Sequence, residues 1–572
     1  MTRNKKNVVP QYRYRRFLVL TAFALLLGIL LWRALDLQIL DRDFLQRQGD
    51  ARHMRVVEVP AHRGEIYDRN GQPLALSTPV DSIWAQPDEL LPAIDRLGEL
   101  AKVADLDLKR LRSRVRANSG REFMYIARHV HPEVAQQVKA LGLPGVALMR
   151  EYRRYYPAGE VNGPLIGFTN IDDRGQEGLE LAYNDWLTGK PGAKRVIRDR
   201  LGQLVEDIER IRAAEPGRDI HLSIDQRLQY LAYRELKAAV KEHNAVSASV
   251  VLLDINTGEV LAMSNLPSFN PNKRDGLRPG VYRNRAVTDV FEPGSTMKPV
   301  TVAAALESGR WSPDDRIHTS PGYMQVQGKP IRDLRDYAEL DVAGVIFKSS
   351  NVGITKIALS LEPEEQWRMF HDLGLGSGTN SGFPGEAAGH IKSPDSMGNF
   401  ERAAMAFGYG LAVTPLQLTR AYAAVAADGV LRPVSFLRKN KSVKGVSVMS
   451  VETARQLRSM MESVAGPGGT GLLAHVPNYR VAGKTGTIHK SVRGGYADNS
   501  YYSVFVGIAP ATKPRFAMAI VVNDPRNGDY FGGKVAAPVF SKVMAGALRL
   551  QDVPPDDMKL RQAEMPAGDG SA

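Results

Sequence analysis

The apolar positions of this chain fall into three regimes. Phe17 to Trp32 is apolar and uncharged without a break, and Leu35, Leu37, Ile39 and Leu40 prolong the pattern beyond Arg33 and Asp36. At a rise of about 1.5 Å per residue the uninterrupted run spans roughly 24 Å, and its flanking turns bring it to the thickness of a bilayer core. The spacing therefore predicts a membrane-crossing helix with Trp32 and Arg33 at the interface. Residues 41–57 read as a helix leaving the membrane. Asn70-Gly71 then predicts a tight turn between two short strands. Residues 86–150 read as polar and mostly helical.

From 226 onward the periods become regular. Gln226 to Val240 carries the spacing of an amphipathic helix. Ser247–Asp254 and Glu259–Met263 predict two strands around the turn Asn256-Thr-Gly258. The region 300–480 is mainly helical. Lys484–Thr487 opens a strand, Tyr502–Ile508 and Arg515–Val522 read as two more, and 533–550 closes with a helical run. Two strands before the helical region and three after it imply one sheet assembled from both ends of a domain. The turn-rich Ala213-Ala-Glu-Pro-Gly-Arg218 marks a boundary before it, and the Pro-, Asp- and Gly-rich tail from 551 reads as disordered.

Composition adds three constraints. At 572 residues, 43% hydrophobic and 24% charged, the chain has room for two or three globular domains. It has no cysteine, which excludes a disulfide, a thiol nucleophile and thiolate-bound zinc. Of the net charge of +13, six positive charges fall in residues 1–16, leaving a modest +7 elsewhere. That distribution gives nucleic-acid binding little support, but it orients a membrane helix with residues 1–16 in the cytoplasm. Arg33-Ala-Leu-Asp36 is a poor cleavage context, so an uncleaved anchor over residues 17–40 is expected.

The candidate chemistry lies in three short motifs. Ser295-Thr-Met-Lys298 follows a Pro-Gly break and precedes a helical run, so Ser295 and Lys298 share a face one turn apart. A serine hydroxyl needs a neighbouring base to become a nucleophile, and Lys298 can serve only when neutral. Ser349-Ser-Asn351 and Lys484-Thr-Gly-Thr487 follow in that order. No His-Glu-x-x-His pair and no phosphate-binding loop is present, so the reading calls for no metal and no cofactor.

This ordered set resembles that of class B penicillin-binding proteins, and most strongly their FtsI-type, division-specific subgroup. Arg63-Gly-Glu-Ile-Tyr-Asp-Arg-Asn-Gly-Gln-Pro-Leu-Ala75 resembles the first signature of that family's non-catalytic domain. Arg154-Tyr-Tyr-Pro-Ala-Gly159, Ile166-Gly-Phe168 and Gly175-Gln-Glu-Gly-Leu-Glu180 resemble the second, and their arginines and acids are expected to be structural.

The resemblance implies an α/β (α+β) penicilloyl-serine transferase fold, with a five-stranded antiparallel sheet flanked by helices, over 216–550. An elongated non-catalytic module over 41–215 and the single membrane helix precede it. It implies a serine D-Ala-D-Ala transpeptidase that cross-links peptidoglycan stem peptides through an acyl-enzyme and is acylated by β-lactams. Ser295, Lys298, Ser349 and Asn351 would be catalytic. Lys484, Thr485, Gly486, Thr487 and Tyr409 would bind substrate, and the Thr487 amide would join that of Ser295 in an oxyanion site. Tyr501, Tyr502 and Phe531-Gly-Gly533 are further candidates for the pocket wall, with core or hairpin packing as the equal alternative. The implied partner is a glycan polymerase of the FtsW type with other division proteins, and the implied location is the inner membrane of a Gram-negative bacterium with the catalytic domain periplasmic. A β-lactam-hydrolysing enzyme or receptor on the same fold, and a mainly structural division protein, remain as rival readings.

Overall fold

The structure is a computed structural model that describes residues 13–40, 54–198, 204–276, 278–492 and 494–557. The apolar run forms a helix over Arg13–Leu35, and a wide π turn continues it over Asp36–Leu40. Every side chain of Arg13–Leu35 is exposed to its surroundings, as expected of a helix that is apolar all round and solvated by lipid.

The chain folds into two compact units, and neither is a single stretch. The smaller takes its described residues from 13–61, 79–152 and 190–215. In it, Met54–Val59 pairs antiparallel with Gly192–Arg198, which pairs antiparallel with Leu204–Arg212. This corrects the helix expected over 41–57. Met54-Arg-Val-Val-Glu-Val59 is rich in β-branched residues and finds a partner strand, while 41–53 lies outside the described residues. The stretch 86–150 is helical over more than half its length, as expected, and also carries the strand Met124–Val130 and the start of another at Val146. Helices Leu97–Val103, Leu108–Ala117 and Pro132–Ala140 share a core with strand Met124–Val130.

The larger unit holds residues 62–78, 153–189 and 216–572, described to 557. The Asn70-Gly71 turn joins Ile66–Tyr67 to the antiparallel strand beginning at Pro73, as its sequence demands. Within this unit the two arginines of the N-terminal signatures converge on one carboxylate. Arg63 Nε and Nη2 donate to Glu180 Oε2 at 2.9 and 2.8 Å, and Arg154 Nε donates to Glu180 Oε1 at 2.6 Å. All three side chains are fully buried. Asn184, Thr188 and Ser77 accept further guanidinium N–H groups, so the arginines are structural, as their signatures implied. Glu180→Ala would strand two buried cations, and breaking a buried pair in this way costs about 3–5 kcal/mol. Thermal unfolding of the variant is expected to shift well below that of the wild type. An unchanged midpoint would show that the clasp contributes nothing.

The functional half of this unit is a five-stranded antiparallel sheet. Its strands are β1 (Ser247–Asp254), β2 (Val260–Leu266), β3 (Ala482–Val492), β4 (Gly495–Ala509) and β5 (Phe516–Asn523), in the spatial order β2-β1-β5-β4-β3. Both faces are covered, so β1 and β5 are buried along almost their whole length, with an unbroken apolar run over Val250–Leu253 in the first and Phe516–Val522 in the second. Alternate residues serve different cores. Phe516, Met518, Ile520 and Val522 pack with helices α1 (Gln226–Glu242) and α8 (Ala537–Leu550). Ala517, Ala519 and Val521 pack with the helical subdomain: α2 (Lys298–Glu307), α3 (Val342–Lys348), α4 (Asn351–Leu359), α5 (Asn399–Ala406), α6 (Pro415–Ala426) and α7 (Val451–Ala465). Helix α2 is buried on every side from Lys298 to Ala305, which places it at the centre of that subdomain.

The tail expected to be disordered from 551 remains attached as far as it is described. Tyr479 Oη donates to Val553 O at 2.6 Å, and Asp556 accepts from Arg480 N and Thr512 Oγ1 at 2.8 and 2.7 Å. Residues 558–572 lie outside the described residues.

Candidate active site

The nucleophile candidate sits in a tighter turn than its sequence indicates. Gly294–Met297 is a 3-10 turn that runs into α2 at Lys298. Residues i and i+3 eclipse in a 3-10 helix, so Lys298 Nζ lies 3.1 Å from Ser295 Oγ. Two glycines set the turn. Gly294 has φ 57°, and a Cβ there would stand 2.3 Å from Ile488 Cγ1 of β3. Gly408, at φ 84°, lies so close that its Cβ would stand 2.1 Å from Gly294 O. Tyr422 Oη, fully buried on α6, donates to Thr296 O at 2.7 Å and fixes the turn from below.

Ser349 and Asn351 meet Lys298 through the α3–α4 junction. Ser349 ends α3 in the left-handed region, φ 58° and ψ 39°, which serine seldom adopts. The conformation turns both its oxygens toward Lys298. Nζ donates to Ser349 O at 2.5 Å, lies 3.1 Å from Ser349 Oγ, and donates to Asn351 Oδ1 at 2.8 Å. Asp333 holds the start of α4, accepting from Ser350 Oγ at 2.6 Å, from Val352 N at 3.0 Å and from Asn351 N. Nothing in the local sequence around Ile331-Arg-Asp-Leu334 marked this carboxylate.

Lys484 enters from β3, at the edge of the sheet, with Nζ 3.0 Å from Ser349 Oγ. Ser349 Oγ thus lies between two lysine nitrogens, and Lys298 and Lys484 are both fully buried. Burial pushes Lys298 well below the ordinary lysine value, and the neighbouring Lys484 cation pushes it further, against the opposing pull of Asp333. Burial alone lowers Lys484 to about 7. A neutral Lys298 is a base within reach of Ser295, and a charged Lys484 is an anion partner behind Ser349.

Thr485 and Thr487 occupy the alternate positions of β3, on the face opposite Lys484. The Thr485 hydroxyl is 2.8 Å from that of Thr470, a partner the motif did not announce. Thr487 Oγ1 accepts from Gly532 N at 3.0 Å. Gly486 stays open because a Cβ would press on Pro293 O and Thr296 at 3.2 Å. Tyr409 packs edge-on against Tyr496 at 5.4 Å, one residue before Gly410, whose N–H donates to Glu292 Oε1 at 2.8 Å. The other aromatic candidates divide. Tyr501 stacks on Tyr530 at 4.2 Å, and Tyr530 stacks on the half-exposed Phe531 at 4.5 Å, forming an aromatic row beside Thr487. Tyr502 packs on the core beside Phe291.

Comparison with known proteins agrees with this geometry. Residues 248–545 match the penicillin binding protein transpeptidase domain, and residues 58–222 match the penicillin-binding protein dimerisation domain. The chain is 45% identical over 543 residues to the peptidoglycan D,D-transpeptidase FtsI of Escherichia coli K12, covering 94% of this chain and 91% of that one. It is 42% identical over 546 residues to the probable peptidoglycan D,D-transpeptidase PbpC of Pseudomonas aeruginosa, covering 96% and 97%. Among solved structures, penicillin-binding protein 3 of Mycobacterium tuberculosis complexed with aztreonam is 28% identical, with a TM-score of 0.68, covering 88% of this chain and 98% of that one. A serine, two buried lysines and an edge strand in this arrangement, with matches to both domains and to relatives along nearly the whole chain, show that the chain belongs to the class B penicillin-binding proteins.

Proposed function

We propose that the protein is a peptidoglycan D,D-transpeptidase that joins stem peptides through an acyl-enzyme on Ser295. The observation that carries this reading is the position of Lys298 Nζ, within hydrogen-bonding distance of Ser295 Oγ, Ser349 Oγ and Asn351 Oδ1. Neutral Lys298 takes the Ser295 proton as Oγ attacks the carbonyl carbon of the penultimate D-Ala. The amide N–H groups of Ser295, in the first turn of a helix, and of Thr487 stabilise the oxyanion. The bond to the terminal D-Ala then breaks, and its nitrogen takes a proton through Ser349. Thr485 and Thr487 hold the donor carboxylate, Lys484 supplies the positive charge that attracts it from behind Ser349, and Gly486 admits its backbone. Asn351 holds Lys298 in line, and Tyr409 forms part of the wall. An amine of a second stem peptide then displaces Ser295.

A β-lactam ring presents a strained acyl group to the same serine and stops at the acyl-enzyme. Mass spectrometry after exposure to penicillin is expected to find one adduct, on the peptide containing Ser295. An adduct on any other residue, or none, would overturn the assignment.

Residues 1–16 form a cytoplasmic tail, 17–40 the anchor, 41–215 the non-catalytic module and 216–550 the transpeptidase domain, on the periplasmic side of the inner membrane. Septal wall synthesis beside an FtsW-type polymerase is the role this arrangement fits. Protease added to right-side-out spheroplasts is expected to digest the region after residue 41. Protection of that region, or a mature N-terminus near residue 34, would refute the topology.

A further inference from the structure

One cavity of the catalytic unit borders the serine cluster, sharing Asn351 and Tyr409 with it, and the rest of its lining takes no part in the steps above. It has a volume of about 440 Å³, within the usual range for ligand pockets, and it begins at Asn351. Its walls come from the short strand Lys329–Arg332, the stretch 392–410 and Tyr496. Asn351 is the joint between the two sites, because its Oδ1 accepts from Lys298 Nζ at 2.8 Å while the residue lines the cavity.

The reaction needs two substrates at one carbon. The donor occupies the Lys484–Thr487 side, where the edge strand offers unpaired backbone groups to an extended peptide. The amine must approach the acyl carbon from a side that the donor leaves open, and the cavity meets the serine cluster at Asn351. Its lining has the character of an amino-acid side-chain site. Ile331, Met397, Phe400 and Phe407 supply an apolar wall long enough for a methylene chain. Lys392 pairs with Glu401 at 2.5 Å, while the exposed Arg332 guanidinium rests 5.6 Å from the Tyr323 ring centre, so the lining carries one net positive charge. Stem peptides carry free carboxylates, and one net positive charge complements one of them.

Building on the transpeptidase reading, we propose that this cavity is the acceptor subsite. It seats the aliphatic amine-bearing side chain of the second stem peptide along the apolar wall, and Arg332 with Lys392 holds that peptide's carboxylate. The amine nitrogen, aimed past Asn351, attacks the acyl carbon on Ser295. The new C–N bond forms, the Ser295 Oγ–C bond breaks, and the proton lost by the amine returns to Ser295 Oγ through Lys298.

The test separates acyl transfer from acylation. The full-length protein in detergent micelles is given a benzoyl-D-alanyl thioester as donor. The acceptor is a stem tripeptide bearing a side-chain amine and a free carboxylate, and the products of aminolysis and hydrolysis are counted. Arg332→Glu reverses the exposed charge, and Met397→Trp fills the cavity. In both variants thiol release and penicillin labelling of Ser295 are expected to stay near wild type, which also shows that they fold. The ratio of aminolysis to hydrolysis is expected to fall by about tenfold or more, the range of one lost charge-assisted hydrogen bond. With an alkylamine acceptor that lacks the carboxylate, Arg332→Glu is expected to lose less than Met397→Trp. An unchanged ratio in both variants, with thiol release intact, would overturn the acceptor subsite alone. Absence of thiol release and of Ser295 labelling in the wild type would overturn the transpeptidase reading and the subsite with it.

Discussion

Ser295→Ala is expected to abolish covalent labelling by a fluorescent penicillin while leaving the protein folded. The reasoning is geometric. Ser295 is partly exposed, whereas the lysine beside it is fully buried and reaches Ser295 Oγ at 3.1 Å. The other hydroxyl within reach of Lys298, Ser349 Oγ, is held between Lys298 Nζ at 3.1 Å and Lys484 Nζ at 3.0 Å, at the end of α3 rather than at the head of a helix. Removing one oxygen atom from the rim of the 3-10 turn leaves Gly294, Gly408 and Tyr422 to hold the backbone, so thermal unfolding should change little. Labelling that persists in a folded Ser295→Ala protein would transfer the nucleophile elsewhere.

Lys298→Ala and Lys484→Ala are expected to fail in different ways. Loss of the base should slow the acylation step itself by about 10²–10⁴-fold, even at saturating β-lactam. Loss of Lys484 should weaken capture of ligands that carry a carboxylate, with a smaller penalty for an analogue without one.

The pH dependence follows from the two lysines. Lys298 acts as a base only when deprotonated, so acylation falls on the acid side as pH drops through its lowered pKa. Lys484 binds a carboxylate only when protonated, so capture by the free enzyme falls as pH rises through about 7. A bound carboxylate holds that proton and extends the alkaline limb upward. Removing Lys484 takes a cation away from Lys298, which then keeps its own proton to higher pH, and the acid limb of acylation moves up. Stopped-flow acylation of both variants across pH, with and without the ligand carboxylate, reads all three effects. Near-normal acylation in Lys298→Ala, or equal losses for both ligands in Lys484→Ala, would show the roles to be wrongly divided.

Much of this architecture was legible before any coordinates. Ser295 and Lys298 are joined by a local rule, since three residues make one turn in either helical form. The strands of the sheet announced themselves by length, β-branched content and bounding turns, and β1, β3, β4 and β5 fall where those signals lie. The Asn70-Gly71 hairpin is equally local. The membrane helix needed only a count of apolar residues.

What the sequence could not carry were the terms set by distant burial. Met54–Val59 has the β-branched content of a strand, but it became one because residues 192–198 offered it a partner across more than a hundred positions, which no local preference encodes. Ser349 reaches Lys484 across 135 residues and Lys298 across 51, and only the left-handed turn at the end of α3 aims it at both. Asp333, Thr470, and the clasp of Glu180 on Arg63 and Arg154 belong to the same class. The motifs name the groups, but a lysine becomes a base only when the fold excludes water from it and sets another cation beside it. Composition and spacing thus determined which chemistry this chain can perform. Tertiary packing decided which proton is free to move, because the free energy of a charge depends on what surrounds it in space and not on its neighbours in sequence.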